Sequence, residues 1–287
     1  MDQKSVLAKY TRQPKIYIKL PSNGRFYKSN PLEKSGSGEL PIYSMTASDE
    51  ISVRTPDALM NGEATATIIK SCCPLINDPW DIPVIDLDAI LIAIRIATYG
   101  EKMNIDVRVD IPDKTPEVVT TEIDLRPLLD SLLGKEFPTE FKHGELTFHL
   151  RPLNYKDQSV FFQSAYETQR LASMLGNENM TEEQKREAFM KGFKMLSKNT
   201  MDIVIRQVVA IETPEGVEND PKFINEFFLN TDKDTFTAVS DFLNQAKEIF
   251  DLKPQKVKVP ENLVNQGASS EVTAPIMFDT SNFFVSK

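Results

Sequence analysis

The stretch from Ile85 to Gly100, IDLDAILIAIRIATYG, constrains this chain more than any other. Between Leu87 and Ala97 only Asp88 and Arg95 are not apolar, so a helix here is hydrophobic on nearly every side. Such a helix belongs inside a folded body. It is too short and too charged for a bilayer span, which needs about 20 apolar residues. Asp86 is expected to cap the helix, and Gly100 falls where a left-handed residue closes one. Arg95 must pair or reach solvent, because burying an unpaired guanidinium is costly. Asp88 lies two turns away, so a partner from another segment is expected; Asp88, Glu50 and other carboxylates all stay open.

The flanking segments alternate between strand and helix signals. Residues 1–13 read as an arm. Lys15–Leu20 alternates like a strand, Asn23-Gly24 is a turn dipeptide, and Arg25–Tyr27 is expected to return as the partner strand. Residues 28–39 form a surface loop, and Leu40–Met45 another short strand. Thr46 with Asp49 opens a helix, with Glu50 in its acidic first turn. Thr55-Pro56 repeats that signal, and Glu63–Cys72 is helical up to Pro74. Residues 77–83 wrap the body as a loop in which Trp80 is an anchor and a candidate docking residue. Ile105, Val107, Val109 and Ile111 alternate with polar residues, giving a half-buried strand that pairs with Val118–Ile123. Asp124 caps a helix ending at Gly134. Residues 141–150 form a hairpin around His143-Gly144.

After Pro152 the pattern becomes helical. Asn154 caps a helix over residues 155–175, and Thr181 to Gln184 is a capping box, with Phe189, Met190, Phe193 and Met195 expected on the buried side. Further helices are expected over residues 201–211, 221–228 and 234–250. The tail beyond Lys253 reads as extended, and Met277, Phe278, Phe283 and Phe284 are candidate docking residues. The fold class expected is α+β. A mixed domain with short antiparallel strands around a buried helix (residues 14–152) precedes an all-α helical domain (153–252), with an arm at 1–13 and an extended tail at 253–287.

At 287 residues and 40% hydrophobic composition the chain can build real cores. Its 33 basic and 42 acidic residues give a net charge of −9, which argues against a nucleic-acid surface. No secretory signal and no membrane span are expected. The only cysteines, Cys72 and Cys73, are adjacent on a helix and point about 100° apart, so they read as apolar fillers in a reducing cytoplasm rather than a disulfide. His143 and His149 share one hairpin and read as surface residues. No Gly-rich phosphate loop, nucleophile elbow or metal-ligand spacing is present. No metal, cofactor, small-molecule substrate or catalytic residue is expected.

Several segments, taken in register, carry a resemblance. They are Leu20–Tyr27 (LPSNGRFY), Met45–Glu50 (MTASDE), Gly62, Cys72, Ile94–Gly100 with Arg95 and Tyr99, and Ile123-Asp124-Leu125. Together they resemble the baseplate hub assembly family of contractile-tailed, T-even-type bacteriophages, over residues 16–130 and more loosely beyond. The resemblance implies a structural or assembly role in the tail baseplate hub, without enzymatic activity. It further implies other baseplate and tail proteins as partners, and a place in the virion after assembly in the host cytoplasm. Family members often carry a zinc-knuckle-like pair of Cys turns between the counterparts of Gly100 and Asp124. Glu101–Ile123 contains no Cys or His, so no zinc is expected here. Two other readings stay open: a chaperone-like hub-assembly factor that leaves before the virion is complete, and a cytoplasmic regulatory or host-interacting module.

Overall fold

The computed structural model describes residues 11–53, 62–112, 114–174 and 181–275. The first ten residues of the expected arm, Thr55-Pro56, and the docking candidates Met277, Phe278, Phe283 and Phe284 lie outside the described residues.

Strand β1 (Pro14–Ile18) pairs antiparallel with β2 (Leu40–Tyr43), Ile16 opposite Ile42 and Ile18 opposite Leu40. Arg25–Tyr27 does not return as the partner strand. Asn23 and Phe26 both take positive φ, so residues 21–29 fold into a compact loop instead. Helices α1 (Ala47–Val53) and α2 (Glu63–Cys72) follow, and Cys72 and Cys73 are both fully buried free thiols.

The apolar stretch forms helix α3 (Val84–Tyr99), and eleven of its sixteen residues are buried. It starts three residues earlier than a cap at Asp86 implies. Asp86 is not the cap: the helix enters from Pro83, and the Val84 N–H is satisfied by the Leu153 carbonyl at 2.9 Å. Gly100 has the expected positive φ (93°), but its ψ of 178° sends the chain straight into a strand. Strands β3 (Lys102–Val109) and β4 (Glu117–Asp124) pair along their whole length, and Asp124 caps helix α4 (Leu125–Ser131) by accepting from the Arg126 N–H.

Strands β5 (Glu140–His143) and β6 (Leu146–Leu150) make the expected hairpin. Helices α5 (Tyr155–Met174) and α6 (Glu182–Ile205) form a long helical hairpin, opened at Asn154 and at the Thr181–Gln184 capping box. The helix expected over residues 201–211 stops at Ile205. Val208–Thr213 is instead strand β7, turning back as β8 (Gly216–Glu218), and both extend the first hairpin into a four-stranded antiparallel sheet of order β5-β6-β7-β8. Val208, Val209, Ile211 and Thr213 are β-branched and favour this pleated setting. The second half is therefore not all-α, and the expected boundary at residue 152 falls between two strands of one sheet. Helices α7 (Pro221–Asn230) and α8 (Lys233–Glu248), capped by Asp220 and Asp232, cover the sheet. The expected extended tail holds β9 (Gln255–Lys258), one helical turn α9 (Glu261–Val264) and β10 (Glu271–Ala274).

Three packed regions result. The largest surrounds α3 with Leu20, Leu40, Ile42, Ile69, Leu128 and Tyr155. The second joins Phe148, Val208 and Ile211 of the sheet to Phe228, Val239 and Leu243, and α3 reaches it through Ile85. In the third, the β9–α9–β10 segment lies over one face of the β3–β4 hairpin. Val107, Val109 and Ile111 are buried there against Val257, Val259, Leu263 and Ala268. That packing, with eight paired positions, holds a hairpin that has no Cys or His of its own.

Candidate functional site

The residues that carry the resemblance come together in space around the two ends of α3. At its start, Asp86 is fully buried and accepts three hydrogen bonds from the LPSNGRFY loop. Ser22 donates from its backbone N–H at 2.7 Å and from its hydroxyl at 2.5 Å, and the Tyr27 hydroxyl donates at 2.9 Å. The loop must fold back tightly to deliver both residues, which explains the left-handed Asn23 and Phe26. A bulky residue rarely adopts that conformation, and here Phe26 is held by edge-on packing against Phe137, 5.8 Å between ring centroids. Burial pushes the Asp86 carboxyl up to about 6, against the pull of the bonds from Ser22 and Tyr27.

At the other end, Met45 donates from its N–H to the Thr98 hydroxyl, and α1 then opens with a reciprocal cap. The Thr46 hydroxyl accepts from the Asp49 N–H, while Asp49 Oδ2 accepts from the Thr46 N–H and hydroxyl. The same carboxylate oxygen takes a further bond from Ser71 and stands 3.7 Å from Arg12 Nη1. Arg12 itself donates to the Ser44 and Ser71 carbonyls, fastening the start of β1 to α2. Glu50 accepts from the Tyr99 hydroxyl at 2.9 Å. Beyond Gly100, the Glu101 carbonyl accepts from the Leu125 N–H, and the Glu101 side chain pairs with Arg126.

Among the described residues Arg95 does not form the expected ion pair. Its partner among them is a ring: the guanidinium lies 4.4 Å from the centroid of Tyr99. Its Nε and Nη1 are buried without a hydrogen-bond partner, and burial lowers its proton affinity. The Tyr99 hydroxyl bonds to Glu50, so that carboxylate supports the ring rather than the cation. Periodicity could not have foreseen this, although Tyr99 stands four residues on, where helix neighbours meet.

These groups do not assemble a reaction centre. Asp49 and Asp86 are committed to structural donors, and burial raises Cys72 to about 12 and pushes Cys73 up as well, so both thiols are held protonated. His149 faces Glu140 and Glu212 across the sheet surface. Among the described residues, no cluster of three or more His, Cys, Asp or Glu could hold a metal ion. Nor is any helix among them long and apolar enough to cross a membrane.

What the surface does offer is apolar. On α5, Phe162 and Tyr166 stand one turn apart and exposed. On α6 the side expected to be buried is outward: Phe189, Met190 and Phe193 are more than half exposed, and Met195 only half-buried. The face that meets α5 is built from Ala188 and Gly192. Gly192 packs on Leu171 and Thr168, and Asn199 bonds to Ser164. Trp80, half-buried, stacks on Tyr155 at 5.2 Å, and borders a cleft of about 420 Å³ with Lys28, Asp81, Asn154, Lys156 and Val160. The indole is thus both an anchor and an accessible rim.

Residues 13–261 match the family described as T4 bacteriophage base plate protein. No curated protein and no solved structure matches the chain.

Proposed function

Since the chain belongs to the T4 bacteriophage base plate protein family, we propose that it is a non-enzymatic component of the tail baseplate, in the hub region, acting through protein–protein interfaces. The observation that carries this reading is the division of labour between its side chains. The carboxylates at both ends of α3 are consumed in holding the scaffold, whereas large apolar side chains are left in solvent on the α5–α6 hairpin. Apolar groups clustered on an exposed element mark surfaces that bind other proteins. The occupant we assign to Phe162, Tyr166 and the Trp80 cleft is another baseplate protein. The net charge of −9 disfavours nucleic acid there.

The test is affinity capture of tagged chain from infected cells, with the captured proteins identified by mass spectrometry. Baseplate proteins should be recovered with the native chain and lost with Phe162→Glu/Tyr166→Glu, two exposed changes that spare the fold. Recovery of host proteins alone, or baseplate capture indifferent to both substitutions, contradicts the assignment.

A further inference from the structure

We draw no further inference here: the strongest candidate, the exposed Phe189, Phe193 and Leu196 face of helix α6, is an unpartnered apolar surface, and nothing in the structure shows what covers it.

Discussion

Asp86 and Arg95 are charged groups buried on the same helix, and they meet the cost of burial in opposite ways. Asp86 is surrounded by donors, so its loop and its helix are locked together. Arg95 has a ring beneath it and two nitrogens that find no acceptor among the described residues. Removing a group whose polar atoms are unsatisfied is cheap if its volume is kept. Arg95→Met should therefore leave the urea midpoint unchanged or raise it, whereas Arg95→Ala should lose about 2 kcal/mol to the cavity. Equal losses for both would reveal a hidden ionic partner. Asp88, on the same helix, is raised to about 6 by burial and by the nearby Asp251 carboxylate, with Lys247 opposing. A carboxyl raised from 3.8 in the unfolded chain binds more protons in the native state. Stability must then grow as pH falls through about 6 and be fully gained below the unfolded value. Thermal melts should thus show a higher Tm at pH 5 than at pH 7. Asp88→Asn should stabilise the protein at pH 7 by on the order of 1–2 kcal/mol and flatten that dependence.

Two glycines measure how closely the elements approach. Gly62, at φ +80°, opens α2 against α5. A Cβ there would stand 2.7 Å from the Tyr155 hydroxyl and 2.9 Å from that of Ser159. Gly192 lies mid-helix in α6, where a Cβ would make ordinary contacts of 3.9 and 4.0 Å. Gly62→Ala should therefore cost about 2 kcal/mol, while Gly192→Ala should gain about 0.5–1 kcal/mol from helix propensity. Chemical denaturation of the two variants, with shifts of opposite sign, checks both. The same glycine explains why the inner face of α6 was not legible in the sequence. The helix carries a small-residue stripe at Ala188 and Gly192 beside a larger one at Phe189 and Phe193. Burial goes to the stripe that lets α5 come close, not to the more apolar one. Helix starts were legible wherever a side chain does the capping, as at Thr46, Asp124, Asn154 and Thr181. The switch from α6 to β7 was not, because no Gly or Pro marks Arg206-Gln207 and the apolar run continues across it. The clearer signal was the Thr213-to-Gly216 turn just beyond.

At the scale of the whole molecule, α3 links two of the packed regions, and the segments that resemble phage baseplate proteins are those that grip its ends. That the rod is buried could be read directly from Leu87–Ala97. The Ser22–Asp86 and Ser71–Asp49 bonds could not, because they join residues 64 and 22 positions apart in sequence. A buried central helix with apolar side chains left exposed on a helical hairpin suits a part that must be held by, and hold, its neighbours in a larger body. Quantitative mass spectrometry of purified, mature phage particles tests that claim most directly. The account predicts peptides of this chain in the particles at a fixed ratio to other baseplate proteins. Their presence in infected cells but absence from particles would contradict it, leaving a factor that helps to build the baseplate and then departs.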